Sequence, residues 1–151
     1  MECGGQTIEK LPIVSKKGYI FKGWYTKKSG GKKITASTKI TSNIILYAHW
    51  SKVTVKKAVI KSVKSQKKKT ITIKYKKISG AEGYQIQYST SRNFTKQKTK
   101  SFTVNGNKSF TKNLTKLKKK TYYIRVRAYK KDSTKAKVYG KWSTIKKIKS
   151  K

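Results

Sequence analysis

Tyr122-Tyr123-Ile124-Arg125-Val126-Arg127-Ala128-Tyr129 alternates residue by residue. In an extended chain Tyr122, Ile124, Val126 and Ala128 fall on one face, and Tyr123, Arg125, Arg127 and Tyr129 on the other. A period of two over eight residues predicts a strand with one buried and one wet face. Working outward, six further stretches read the same way: Ala58–Val63, Thr70–Lys76, Tyr84–Ser89, Lys98–Val104, Lys108–Leu114 and Trp142–Ile148. Turn residues separate them. Ser79-Gly80-Ala81-Glu82-Gly83 reads as a turn, and Asn105-Gly106 as a two-residue hairpin of type I′, since both residues tolerate positive φ.

Residues 52–151 therefore predict a seven-stranded immunoglobulin-like β-sandwich, which needs about 100 residues. Residues 1–51 form a second, smaller unit. Gly18–Thr26 alternates aromatic residues, Ser29-Gly30-Gly31 makes a turn, and Ile44–Trp50 is a strongly apolar strand that stops at the lysines and serines beyond it. The whole chain is expected to be mainly β.

The charge is extreme. The 151 residues carry 41 Lys and Arg against 4 Asp and Glu, a formal net charge of +37, and only 34% are hydrophobic. Such a balance also marks disordered chains, but here the apolar residues are patterned and there are 10 Tyr and 3 Trp. Arg92, Arg125 and Arg127 are the only arginines. Lysine is a strongly hydrated point charge, whereas reading bases favours the planar arginine fork. Specific nucleic-acid recognition is therefore not expected, and a solvated lysine coat that discourages edge pairing is. No apolar run reaches the ~18 residues of a membrane span, and Met1–Gly5 does not read as a secretion signal.

Nothing in the sequence assembles an active site. Glu2, Glu9, Glu82 and Asp132 are scattered, with no acid–base pair among them. His49 is the only histidine and Cys3 the only cysteine, too few for a structural metal site. No cofactor motif is present; Gly30-Gly31-Lys32-Lys33 lacks the spacing of a phosphate loop. Asn93, Asn107 and Asn113 each begin an Asn-x-Ser/Thr triplet, which chance supplies in so Ser/Thr-rich a chain. No catalytic role is expected.

Particular residues give the chain a resemblance to two families. Gly18, Tyr19, Phe21, Gly23, Trp24, Tyr25 and Thr26, then Gly30-Gly31, then Ile44, Leu46, Tyr47, Ala48 and Trp50, with Leu11-Pro12 upstream, resemble the Listeria–Bacteroides repeat, also called the internalin B-repeat, over residues 8–50. This resemblance implies a small β-grasp-like sheet, found in tandem on surface proteins of Gram-positive and gut bacteria. The family's opening strand is expected to be missing, which makes this a partial repeat. Residues 52–151 resemble a fibronectin type III domain. Ile71, Ile73 and Tyr75 match its second strand, with Tyr75 at the usual tryptophan position. Gly83-Tyr84-Gln85-Ile86-Gln87-Tyr88 matches its third. Leu117 with Tyr122, Ile124, Val126 and Ala128 matches its tyrosine corner.

The resemblances imply a non-catalytic, extracellular module of a bacterial cell surface or wall. Its expected role is to space, display or adhere, beside neighbouring domains of a longer chain. The alternatives are a cationic module that binds anionic polymers (teichoic acid, glycosaminoglycan or nucleic acid) and an accessory module of a larger secreted enzyme. One constellation offers a surface for contact. Arg125 and Arg127 point outward, and Trp142 is expected on the neighbouring strand, where guanidinium and indole can stack. With Tyr123 and Tyr129 they form either a stiffening stack or a platform for sugar or wall polymer.

Overall fold

The computed structural model describes the Gln6–Thr7 backbone and residues 10–151. Glu2, Cys3, Ile8 and Glu9 lie outside the described residues. Two compact units form: Met1–Val53 with Lys131–Ala136, and Thr54–Lys130 with Lys137–Lys151. The ordered structure is almost wholly antiparallel β; among the described residues the one helical element is a 3-10 turn at Lys96–Lys98.

In the first unit, β1 (Gln6–Thr7) precedes β2 (Tyr19–Tyr25), β3 (Lys33–Ile34), β4 (Lys39–Ile40) and β5 (Tyr47–Lys52). β2 is the centre of a three-stranded sheet between β3 and β5, and β1 pairs with β4. The aromatic alternation of β2 explains the sheet. Phe21 packs on Trp24 and Trp50 at 5.6 and 5.4 Å between ring centroids, and Tyr25 stacks flat on His49 at 3.8 Å. His49 Nε2 also lies 2.6 Å from the Lys27 carbonyl, so the single histidine is held as a structural group. Trp24 Nε1 donates to the Pro12 carbonyl at 3.0 Å, tying down the Leu11-Pro12 segment.

The expected absence of the family's opening strand concerns Met1–Gly5, which lie outside the described residues; the short β1 follows them and precedes the Leu-Pro segment. One expectation for this unit is corrected. The apolar run Ile44–Leu46 is not strand, and β5 instead extends through Ser51 and Lys52. The cause is the partner. β2 ends at Tyr25, opposite Tyr47, and the chain then turns back, with Thr26 N–H donating to the Lys32 carbonyl. Nothing remains for residues 44–46 to pair with in this ladder, and Ile45 stays 71% exposed.

The first unit also contains a heavily coordinated acid, Asp132. The Asp132 carboxylate accepts hydrogen bonds from Gly18 N–H (2.7 Å), Thr134 N–H (2.8 Å), the Thr134 hydroxyl (2.5 Å) and Ala136 N–H (3.2 Å). These donors favour the charged form, the Thr134 hydroxyl most of all, and hold the carboxyl at about 2 against an ordinary value of 3.8.

The second unit contains β6 (Ile60–Lys64), β7 (Ile71–Tyr75), β8 (Gly83–Ser89), β9 (Thr99–Asn105), β10 (Thr111–Leu114), β11 (Thr121–Lys131, all but its last residue), β12 (Lys137–Tyr139) and β13 (Lys146–Lys149). One sheet runs β10-β7-β6. The other runs β12-β11-β8-β9, with β13 on the same strand, β11. Of the expected seventh strand, Trp142–Ile148, only the part in β13 forms; the unexpected β12 pairs with β11 ahead of it, so the last strand of the seven-strand sandwich runs in two pieces interrupted at residues 140–145. The core lies between the sheets. Ile71, Ile73, Ile86, Ile124, Val126 and Ala128 are fully buried there. Burying each large aliphatic side chain stabilises the fold by roughly 1.5–3 kcal/mol before entropy is counted.

Tyr75 fills the expected tryptophan position. Its ring packs on Tyr84 at 4.9 Å and its hydroxyl donates to the Ser109 carbonyl at 2.9 Å. Burial, with a smaller contribution from Tyr84, pushes this phenol up to about 12. Tyr84 accepts from Ile78 N–H (2.8 Å) and donates to Asn107 Oδ1 (2.5 Å), while Asn107 Nδ2 returns to the Ile78 carbonyl (3.0 Å). The Asn-x-Ser triplet at Asn107 is thus part of a structural network. Asn105-Gly106 is not the expected hairpin. Gly106 takes a positive φ of 95° and Asn105 does not; the flanking strands β9 and β10 belong to different sheets. The Asn105 and Asn107 side chains, which accept from the Tyr129 and Tyr84 hydroxyls, carry the chain from one sheet to the other.

The tyrosine corner forms. Lys118 N–H donates to the Tyr122 hydroxyl at 3.0 Å, across a buried Leu117. Tyr122→Phe leaves that N–H without its partner, and the second unit should lose about 1–2 kcal/mol in denaturant unfolding; an unchanged midpoint would show the corner to be idle. For Asp132 the sign follows from its lowered value. Its stabilising effect is complete above the unfolded value near 3.8 and disappears as pH falls through about 2. The Gly18 amide resonance should therefore titrate with a midpoint near 2, and Asp132→Asn should abolish that titration.

Candidate functional site

The outer face of β11 carries a ladder of alternating cations and rings. In-register pairing sets Arg125 opposite Gln87 and Arg127 opposite Gln85 on β8. Arg125 Nε donates to Gln87 Oε1 at 2.9 Å and Arg127 Nε to Gln85 Oε1 at 2.7 Å, which holds both guanidinium planes against the sheet. Gln87 is itself held, donating to Ser101 Oγ on β9 at 3.0 Å. The rings then interleave. Arg125 Cζ lies 4.1 Å from the Phe94 centroid and 4.2 Å from Trp142; Arg127 Cζ lies 4.3 Å from Trp142 and 3.7 Å from Tyr139. The order is Phe94, Arg125, Trp142, Arg127, Tyr139. Tyr129 continues it, edge-on to Tyr139 at 6.0 Å, with Lys137 Nζ 4.8 Å above its ring.

Partial burial pulls both guanidinium values down. For Arg125 the neighbouring Arg127 charge adds to this, and for Arg127 the Tyr139 phenol opposes it. Arginine keeps its charge through such shifts, which suits it to a covered stack.

Trp142 is not on a strand. It sits in the irregular segment between β12 and β13. That segment stays attached because Gly140 N–H donates to the Ala128 carbonyl, Ser143 N–H to the Val126 carbonyl (2.7 Å), and Val126 N–H to Ser143 Oγ (2.9 Å). The buried Ser143 thus does the work of a strand residue with its side chain, and lifts Trp142 over the two arginines. Tyr129, expected on the wet face, is only 2% exposed. It lies across Gly83, where a Cβ would stand 2.4 Å from the Tyr129 ring, and its hydroxyl donates to Asn105 Oδ1 at 2.8 Å. Tyr123 shares the face and is half-buried, but takes part in none of the ladder's ring contacts. Phe94 and Tyr139 are members that the alternation of β11 could not reveal; the Tyr-Gly-Lys-Trp-Ser string around Trp142 is the local trace of the second. Among the described residues no three His, Cys, Asp or Glu side chains gather as metal ligands, and no helix is long and apolar enough to cross a membrane.

The sequence of residues 4–49 matches the Listeria–Bacteroides repeat domain. No curated protein is significantly similar in sequence to the chain. Among solved structures, the FN1–FN3 domains of chicken CNTN1 align with a TM-score of 0.54 and 21% identity, covering 74% of this chain and 38% of theirs. The chain thus spans little more than a third of that structure. The fn3 domain of human contactin 1 gives 0.49 and 17%, covering 67% of this chain and 87% of that one. A Fn3-like protein from Clostridium thermocellum gives 0.45 and 17%, covering 64% and 88%. The chain therefore joins a segment matching the Listeria–Bacteroides repeat to a β-sandwich with the fibronectin type III fold.

Proposed function

We infer that the chain is a non-catalytic structural module of a bacterial surface protein, which spaces or displays neighbouring domains outside the cell. The pairing of a Listeria–Bacteroides repeat match with a fibronectin type III fold supports that setting. The observation that carries the structural role is the ladder. Both guanidinium groups are already engaged by a glutamine and two rings each. Trp142 lies in the interrupted segment and Tyr139 on β12, so the stack holds β12 and that segment against β11. This is a stiffening device at a sheet edge, built from contacts of about 0.5–1 kcal/mol each.

Trp142→Ala should lower the unfolding free energy by roughly 2 kcal/mol, through two lost cation–π contacts and lost ring burial. Arg127→Lys, which keeps the charge but not the plane, should cost about half as much. Wild-type stability in Trp142→Ala, together with lost binding to a sugar or wall polymer, would instead make the face a ligand platform. The setting has its own test. Antibodies against the chain should label intact cells of the producing organism, and brief external protease treatment should remove the signal; labelling only after lysis would overturn a surface role.

A further inference from the structure

We propose that the end of the sandwich formed by the loops after β6 and β10 binds a flexible linear polyanion, one with phosphate or sulfate groups along a backbone without bases. Lys68, Lys69, Lys116, Lys118, Lys119 and Lys151 line a cleft of about 540 Å³ there, and the buried Leu117 forms its floor. No acid lines it. A second cleft, of about 380 Å³, shares Lys116, Leu117 and Lys118 with the first and adds Lys98 and Lys100. The ridge Lys116–Lys118 is a common wall, so the basic surface runs on past the volume of a single anion. This continuity selects a chain-like ligand.

The loops are fastened before any ligand arrives. Leu117 N–H donates to the Lys69 carbonyl at 3.0 Å, which joins the two loops directly. The tyrosine corner fixes Lys118 through its own N–H. Two of the lining lysines, Lys69 and Lys116, hold left-handed backbone, with φ of 59° and 57°. Glycine or asparagine takes that conformation at lower cost. Strained lysines that converge on one cleft are the kind of outlier from which a binding role is inferred, and fixed loops reduce the ordering cost of binding.

The lining also chooses among polyanions. It holds no arginine, and its two aromatic residues, Tyr88 and Tyr122 in the second cleft, are buried core side chains. Single-stranded nucleic acid is held by stacking its bases on exposed rings as well as by charge. Lysine ammonium groups on long stems suit anions that recur along a mobile backbone without bases. This inference is independent of where the chain is displayed.

The test compares two variants of equal net charge in the full chain. One replaces Lys68, Lys69, Lys116, Lys118 and Lys119 by Gln; the other replaces Lys56, Lys57, Lys61, Lys76 and Lys77, which are also exposed. Probes are poly(glycerol phosphate), heparin and a single-stranded DNA of mixed sequence. At 0.15 M salt the Debye length is about 8 Å, so distant charges are largely screened. The cleft variant should lose at least tenfold in affinity for poly(glycerol phosphate) or heparin, and the control variant less than threefold. The slope of log affinity against log salt should fall by about 3.5, at about 0.7 for each of the five lost contacts. The polymer that survives higher salt identifies whether phosphate or sulfate is the better fit. Equal losses in the two variants, or DNA bound as tightly as either polymer, overturn the proposal. Lysine acetylation of the unmutated protein gives a readout independent of folding: bound polymer should protect Lys116, Lys118 and Lys119 and leave Lys56 and Lys57 reactive, and uniform protection would count against the site.

Discussion

The constraint on which the second unit depends is that β11 needs partners on both edges and cover on both faces. One edge is met by seven consecutive register pairs with β8. The other is met in pieces, by β12, by β13 and, between them, by single hydrogen bonds from Gly140 and Ser143. The inner face presents Ile124, Val126 and Ala128 to the opposite sheet, all fully buried. The outer face has no second sheet over it, and the Phe94–Arg125–Trp142–Arg127–Tyr139 ladder covers it instead. Interrupting the last strand is tolerable because that ladder holds β12, through Tyr139, and the interrupted segment, through Trp142, against β11. Without the stack, residues 140–145 would hang on a few hydrogen bonds, each contributing about 1 kcal/mol net.

The central strand could be read directly from the sequence, and the reason is physical. β11 is covered inside by aliphatic side chains and outside by arginines, so its alternation has a period that no neighbour is needed to interpret. The same holds for β7 and β8, and for the Leu117–Tyr122 spacing of the tyrosine corner. What escaped depended on partners distant in sequence. Ile44–Leu46 has strand composition but no strand beside it. Asn105-Gly106 has hairpin chemistry, yet Tyr84 and Tyr129 recruit the flanking asparagines to a crossing between sheets. Tyr129 belongs to the outward set by parity and is buried because Gly83, across the ladder, leaves room for its ring. Of the contact face, the proximity of Arg125, Arg127 and Trp142 was legible; Phe94, which arrives from the β8–β9 connection with a left-handed φ of 53°, was not. Asp132 shows the same limit. By sequence it is one of four scattered acids, and only the fold brings Gly18 to its carboxylate.

Charge has to be accommodated in so basic a chain, and the two cation types divide the work. Two of the three arginines sit where a flat cation must be partly buried between rings. Lysines occupy the exposed positions, where hydration of the ammonium group keeps neighbouring charges apart at little cost. The exception is the end of the sandwich at Lys68–Lys69 and Lys116–Lys119, where lysines converge without an acid in the lining. Convergence of like charge works against the compact state, so its presence at one end, on two strained backbone positions, sets that end apart from the coat elsewhere.

The same device recurs at the opposite open edge. β9 and β10 are the edge strands of their sheets on that side, and Phe102, on β9, points inward beside Tyr88, stacked at 5.8 Å. It remains 37% exposed, an apolar side chain at a free sheet edge and so an invitation to pair with another molecule. Lys112 from β10 closes it, with Nζ 4.3 Å from the Phe102 centroid. An ammonium over that ring shields the apolar surface, links the two sheets and leaves a charge facing any strand that approaches. At one edge Arg125 and Arg127 cover the interrupted strand; at the other Lys112 covers the gap between sheets. A sandwich with this much positive charge thus uses part of it, placed on aromatic faces, to protect the edges through which β proteins aggregate.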